Sequence, residues 1–194
     1  MRVYLAGPEV FLRDAAAIGA AKRAICARHG LAGVFPTDPH PDLAGAPPGA
    51  AHLYRQNEAH LHGCDALIAN LTPFRGPSAD AGTVFELGLM RGLGRTCFGY
   101  AAVAGDFAAR TLAFLGPRVR RRGDGAWEDE EGMAVEEFGL ADNLMIEEGI
   151  RASGGMLLLG PPAPWRDLAL FERCVERAAA VLRGRSGPCP DAAP

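Results

Sequence analysis

Short apolar runs alternate along the chain with longer stretches in which apolar residues recur every three or four positions. The first run, Arg2–Ala6 (RVYLA), predicts a strand that ends at once in Gly7-Pro8-Glu9. A glycine at a strand end lets backbone approach a ligand closely. Ile18, Ala21, Ile25 and Cys26 fall at helical spacing and predict a helix over Ala15–His29, with Asp14 as its cap and Gly30 as its end. Leu31–Phe35, closed by Pro36, predicts a second strand. Leu53, Asn57 and Leu61 recur every four residues and predict a helix over Ala51–His62. The run Ala66–Leu71 reads as a buried third strand, followed by a Pro/Gly/Ser-rich loop, Thr72–Ala79, and a helix over Gly82–Gly92. Thr96–Tyr100 and Met156–Leu159 predict the fourth and fifth strands. Further helices are expected over Asp106–Leu115, Leu140–Glu148 and Trp165–Arg183.

Strands alternating with helices imply a parallel sheet covered on both faces, joined by right-handed crossovers. The expected fold is α/β: a single-domain, flavodoxin-like, doubly wound sheet of five parallel strands in the order 2-1-3-4-5. It occupies residues 1–183, with 184–194 as a disordered C-terminal tail. In that order strands one and three adjoin at the switch point, so Gly7–Phe11 and Thr72–Glu86 face one crevice. Two stretches carry no periodicity. Thr37–Ala50, dense in Pro, Gly and Asp, is expected to be a loop. Pro117–Val135, rich in Gly, Arg and Glu, is expected to be a mobile loop, a candidate lid whose Trp127 either anchors it or stacks on a ligand.

Composition narrows the possibilities. The chain has 194 residues and a formal net charge of -3, which gives no nucleic-acid-binding surface; Arg118, Arg120, Arg121 and Arg122 are read as a solvated run. Cys26, Cys64, Cys97, Cys174 and Cys189 are widely spaced with no CxxC, as expected of reduced thiols in a cytoplasmic protein. No apolar run approaches the ~18 residues of a membrane span, and no signal peptide precedes the first strand. His60 and His62 lie two apart on one helix and face different directions, so no metal site is expected there. No HExxH, Walker A or GxGxxG occurs.

The candidate chemistry is carboxylate chemistry. Asp65 stands at the start of the third strand, Asp80 at the end of the loop and Glu86 in the first turn of the following helix. A helix N-terminus favours an ionised carboxylate, and a positioned carboxylate in a crevice is a candidate nucleophile. Each residue also has a plainer reading: Glu86 as a partner of the helix dipole, Asp80 as an N-cap, Asp65 as a polar strand start. Tyr4 reads equally as a core aromatic, and Asn143 as a cap or turn residue.

Four blocks, in order, resemble the nucleoside 2-deoxyribosyltransferase family: YLAGPEVF (Tyr4–Phe11), FPTD (Phe35–Asp38), CDALIANLTPFRGPSADAGTVFELG (Cys64–Gly88) and FGLADNLMI (Phe138–Ile146). The resemblance implies transfer of 2-deoxyribose from one base to another by double displacement. It implies that Glu86 is the nucleophile, Tyr4 orients it, and Asp65 protonates the leaving base. It implies that Asp80 binds the 5-prime hydroxyl, with Gly7, Pro8, Phe11, Asp38 and Gly82 also against substrate. Asn143 would reach the sugar of a neighbouring subunit, so the resemblance implies a homo-oligomer with shared sites. The partners are a 2-deoxynucleoside donor and a free nucleobase acceptor, with no cofactor, metal, membrane or nucleic acid.

The physics fits these roles. N-glycosidic cleavage passes through an oxocarbenium-like state that a facing carboxylate stabilises and captures. Two rivals remain at this stage. One is an N-glycosidase hydrolysing nucleosides or their monophosphates. A carboxylate at Asp80 would repel a phosphate, while Ser78 and Arg75 nearby would suit one. The other is a non-catalytic sensor of nucleosides or nucleotides on the same fold. A phosphoribohydrolase of the PGGxGTxxE kind is further off, because the PGG part is absent.

Overall fold

The structure, a computed structural model, describes residues 1–41 and 49–185. The middle of the expected Thr37–Ala50 loop and residues 186–194, Cys189 included, lie outside the described residues, while 184 and 185 of the expected tail continue the last helix. Five parallel strands form the main sheet: β1 (Arg2–Ala6), β2 (Ala32–Val34), β3 (Ala66–Asn70), β4 (Thr96–Ala102) and, last in the chain, β7 (Leu157–Gly160). Their order is β2-β1-β3-β4-β7, the flavodoxin-like order expected from the sequence. All five residues of β3 are buried, as befits a central parallel strand covered on both faces.

Successive side chains leave a strand on opposite faces, so each strand feeds two cores. Val3, Leu5, Ile68, Phe98 and Tyr100 meet Ile25 of α1 (Ala15–Arg28) and Phe171, Val175 and Leu182 of α6 (Ala169–Arg185). On the other face, Tyr4, Leu67, Ala69 and Cys97 meet helices α2 (Ala50–His62), α3 (Ala81–Gly92) and α5 (Leu144–Ala152) through Leu61, Leu87, Met90, Ile146 and Ile150. Cys26, Cys64, Cys97 and Cys174 are free and buried in these layers. A shorter helix, α4 (Phe107–Leu115), is capped by the Asp106 side chain, which accepts from Ala109 N at 2.8 Å.

Several local expectations are corrected. Asp14 sits at the cap position of α1 but makes no cap hydrogen bond; both its oxygens accept from Arg166 at 2.8 Å. Gly30, at φ +80, follows the helix as the left-handed residue that ends it. The fifth helix begins at Leu144, because Asp142 and Asn143 use their side chains on backbone N–H groups instead of continuing a helix. The last helix begins at Ala169, whose N–H is taken by Asp167, so Trp165 lies in the preceding turn.

The largest correction is at 117–135. That stretch holds an antiparallel hairpin, β5 (Val119–Arg121) and β6 (Trp127–Asp129), rather than an irregular loop. Arg120 Nε donates to Glu128 at 2.8 Å, Arg122 pairs with Asp124, and the Arg121 guanidinium lies 4.6 Å from the Trp127 ring. Trp127 therefore anchors the hairpin. The one buried residue of the ribbon's two strands is the charged Glu128, so the ribbon shows no apolar alternation and periodicity missed it.

Candidate active site

The site is built on the turn after β1 and on α3. Glu86 projects from α3 toward the sheet, and the Tyr4 hydroxyl donates to its Oε1 at 2.7 Å. Tyr4 is fully buried in the middle of β1, so its ring is fixed and holds the carboxylate in one place. Burial pushes the Glu86 carboxyl up to about 7; the Tyr4 hydrogen bond opposes that rise, and the charge of Asp80 adds to it. Burial and the adjoining Glu86 charge raise the Tyr4 phenol well above its ordinary range, so it stays a donor.

Asp80 caps α3. Its Oδ2 accepts from Thr83 N at 2.9 Å and from Thr83 Oγ1 at 3.0 Å. The N-cap reading of Asp80 holds, and Oδ1 keeps capacity for a further donor. A cleft of about 200 Å³ runs between α2 and α3, lined by Tyr54, Asn57, Glu58, Leu61, Gly82, Phe85, Glu86 and Leu89. Gly7 lies in extended backbone; a Cβ there would stand 2.1 Å from Glu9 Oε2 and 2.9 Å from Asn70 Cβ, so only glycine fits. Pro8 follows as the first residue of a short 3-10 turn, Pro8–Phe11.

The remaining residues singled out from the sequence lie elsewhere. Phe11 is exposed and stacks on Phe74 with ring centroids 5.4 Å apart, under the Arg75 guanidinium. Asp38 accepts from Phe35 N at 2.9 Å and pairs with Arg23, lining a separate depression with His40 and His60. Asn143 caps α5, accepting from Met145 N at 3.0 Å and donating to Glu136 at 2.8 Å. It adjoins Val84 and Gly88, on the flank of α3 that faces away from Glu86.

Asp65 is misplaced for acid catalysis. It precedes β3, at the N-terminal edge of the sheet, where its Oδ2 accepts from Arg2 N at 2.8 Å. Leu67, two residues further along β3, pairs with Tyr4, so Asp65 lies about 7 Å along the strand from the level of Tyr4, on the N-terminal side. Asp65 lines no part of the Glu86 cleft. Its role is to fasten the first strand. Asp65→Ala is expected to lower stability by about 1 kcal/mol in urea unfolding while leaving kcat within a factor of two; a hundredfold fall in kcat would restore the catalytic assignment.

Three residues escaped the sequence reading. Asn57 reaches the cleft from α2, and its Oδ1 is buried without a hydrogen-bond partner among the described residues. A polar residue at the spacing of Leu53 and Leu61 was the available signal. Glu58 beside it accepts from the Tyr54 hydroxyl at 2.7 Å. Asp142, 2 % exposed, ties the 72–80 loop down by accepting from Ser78 Oγ at 2.5 Å and Ala79 N at 2.9 Å.

Comparison with known proteins settles the lineage of this arrangement. The family model described as nucleoside 2-deoxyribosyltransferase matches residues 3–145, most of the chain and all of the residues just described around Glu86. The chain belongs to the nucleoside 2-deoxyribosyltransferase family. An uncharacterized protein of Schizosaccharomyces pombe is 32% identical over 167 residues, covering 80% of this chain and 79% of that one. The 2-desoxiribosyltransferase of Leishmania mexicana superposes with a TM-score of 0.60 at 28% identity, over 90% of this chain and 97% of that one. A conserved protein of Enterococcus faecalis V583 shares the fold, with a TM-score of 0.54 at 17% identity, over 95% of this chain and 98% of that one. Family membership places the chain among enzymes that transfer or cleave at the glycosidic bond of nucleosides. Among the described residues no helix is long and apolar enough to cross a membrane.

Proposed function

We propose that the protein transfers 2-deoxyribose between nucleobases, with retention, through a covalent deoxyribosyl–Glu86 intermediate. The observation that carries this reading is the Tyr4–Glu86 pair in a cleft of a deoxyribosyltransferase-family chain. In the first step a Glu86 oxygen bonds to C1 of the sugar as the C1–N bond breaks, and the electron pair of that bond leaves on the base nitrogen. In the second step the nitrogen of an incoming base attacks C1 and returns the electrons to the carboxylate. Two inversions give net retention.

Asp80 accepts a hydrogen bond from the free 5-prime hydroxyl and gives a phosphate a repulsive neighbour. The leaving base lies against α2, where Asn57 supplies amide hydrogen bonds and Glu58 is the titratable group able to exchange the base proton. Glu58 takes the role that Asp65 cannot reach.

The placement of Asn143 supports a homo-oligomer with shared sites. Its neighbours form an open, largely apolar depression of about 470 Å³. Met145, which lines this depression, is 73% exposed. Pairing of two subunits through this face covers that surface and carries Asn143 to a partner's sugar site. A fully active monomer in sedimentation would contradict it.

The pH dependence follows from the raised Glu86 carboxyl. Only the ionised form attacks, so kcat/KM for a deoxynucleoside rises with pH through about 7. Tyr4→Phe removes the hydrogen bond that favours the ionised form. The acid limb of that variant is expected to move to higher pH, with kcat down on the order of 10- to 100-fold. An unmoved limb would disconnect Tyr4 from the nucleophile.

The activity itself is tested by incubating deoxyinosine, deoxyadenosine, thymidine and deoxycytidine with and without adenine or cytosine, beside deoxynucleoside monophosphates. A new deoxynucleoside that forms only with acceptor supports transfer. Free base released equally with and without acceptor, above all from monophosphates, means hydrolysis.

A further inference from the structure

Glu86 and Asp80 are held by different parts of the fold. Glu86 takes its place from α3 and from the Tyr4 hydroxyl. Asp80 ends the loop that follows β3, so its position depends on how that loop is held. The loop closes on itself through Phe74 N–H, which donates to Ser78 O at 2.9 Å. Between them Arg75 stands at φ +57, a left-handed conformation that residues other than glycine rarely adopt. Such a conformation persists where surrounding contacts enforce it.

Those contacts come at both ends. The start of the loop is fixed to the sheet: Asn70 Oδ1 accepts from Thr72 N at 3.0 Å, and Ala102 N donates to Thr72 Oγ1 at 3.0 Å. The end is fixed to the segment 140–143. Asp142 Oδ1 accepts from Ser78 Oγ at 2.5 Å, and its Oδ2 accepts from Ala79 N at 2.9 Å. Arg110 of α4 spans both pieces, donating through Nε to Pro77 O at 3.0 Å and through Nη2 to Ala141 O. The segment is braced in turn, because Phe107 N donates to Leu140 O at 2.9 Å and Ala141 N to Glu147 Oε2 at 2.8 Å.

Asp142 is the centre of this clamp. It is 2% exposed, and its own neighbour Asn143 N donates to Oδ1 at 2.8 Å. Hydrogen bonds to a buried carboxylate are strong, since the charge has no water to turn to. Two of its three donors belong to the two residues that precede Asp80. Ser78 gives its hydroxyl proton to Asp142, and the negative charge beside it disfavours a phosphate at that place.

We propose that Asp142 is a positioning residue that sets the preference for a free 5-prime hydroxyl, by fixing Asp80 through Ser78 and Ala79. The inference rests on the 5-prime-hydroxyl role proposed for Asp80. Asp142 touches no substrate; it acts through the loop. Glu86 is anchored separately, so loss of the clamp falls on recognition of the hydroxyl and spares the attack on C1.

The test follows adenine release, with cytosine as acceptor, from deoxyadenosine and from 2-prime,5-prime-dideoxyadenosine, which lacks the hydroxyl. The quantity read is the ratio of the two kcat/KM values. The native chain is expected to prefer deoxyadenosine by on the order of 100-fold, and Asp80→Ala to bring the ratio near one. Asp142→Ala is expected to lower the ratio about tenfold through loss on deoxyadenosine, with the analogue within about threefold of its native value. Ser78→Ala deletes one hydroxyl and leaves Asp142 its other two donors, so it reports on the clamp even where Asp142→Ala does not fold. It is expected to lower the ratio about threefold. In an Asp80→Ala background neither change is expected to alter the ratio further. Two substrates that fall in step in Asp142→Ala would make the residue merely structural and overturn the inference. A native ratio in both Asp142→Ala and Ser78→Ala, with Asp80→Ala abolishing it, would overturn the inference and leave the role of Asp80 intact. A native ratio in Asp80→Ala would remove that role, and the inference with it.

Discussion

Glu86→Gln is expected to lose turnover by at least three orders of magnitude and, above neutral pH, to be more stable than the native chain. The first effect is removal of the nucleophile, since an amide neither attacks C1 nor leaves from it. The second follows from the carboxyl's environment. Its folded value of about 7 lies above the ordinary 4.5. Between those values the folded state keeps a proton that the unfolded chain has lost, so stability falls as pH rises through this window. Each pH unit corresponds to about 1.4 kcal/mol, so the full cost above pH 7 is roughly 3 kcal/mol. Glutamine keeps an oxygen for the Tyr4 hydroxyl and carries no charge. The variant's Tm is therefore expected to exceed the native value by on the order of 5–10 °C at pH 8, with the gap closing by pH 4.5. A stability gain that does not vary with pH would show that Glu86 is not held in a desolvated, ionised state.

Lys22→Met is expected to produce the largest loss of stability of any single change outside the cleft. Lys22 and Glu9 form an ion pair with side chains 1% exposed on both sides. Burial alone would raise the Glu9 carboxyl; the Lys22 charge and hydrogen bonds from Lys22 and Asn70 outweigh it and hold the group below its usual range. Removing Lys22 strands that charge, at a cost of about 3–5 kcal/mol in urea unfolding. Without the ammonium, burial dominates and Glu9 takes up a proton more readily, so the variant's deficit shrinks as pH falls. The double variant Glu9→Gln/Lys22→Met is expected to recover much of the loss, because no unpaired charge remains. Equal stability of Lys22→Met and the native chain would mean that the pair is solvated.

Much of the fold was legible because parallel strands buried on both faces must be continuous apolar runs, as 66–71 is, and because helices between them must repeat every three or four residues. Glu86 stood out from a local pattern of a strand, a glycine-bearing loop and a capping Asp80, although it lies in the second turn of α3 rather than the first. What was not legible depended on direction or on pairing across the chain. Asp65 and Glu86 flank the same strand–loop–helix unit, but a strand's two ends lie at opposite edges of a sheet, and spacing alone did not say which edge faced the crevice. Asn57 and Glu58 come from α2, whose rotation about its axis is set by how Leu61 packs against the Leu67 side of the sheet. The Glu9–Lys22 pair joins a turn to a helix thirteen residues on, and nothing local marks either residue as buried. The hairpin at 119–129 is held by charge pairs and one Arg–Trp contact, which carry no period.

The central claim is a covalent sugar on Glu86. The direct measurement is intact-protein mass spectrometry of the native chain mixed with deoxyadenosine in the absence of acceptor, acid-quenched within the first turnover, followed by peptide mapping. The account predicts a mass increase of one anhydro-2-deoxyribose unit, located on the peptide carrying Glu86, which disappears when cytosine is added before the quench and never forms in Glu86→Gln. Release of adenine at full rate with no adduct at any time point would contradict it and would assign the cleft to direct hydrolysis by water.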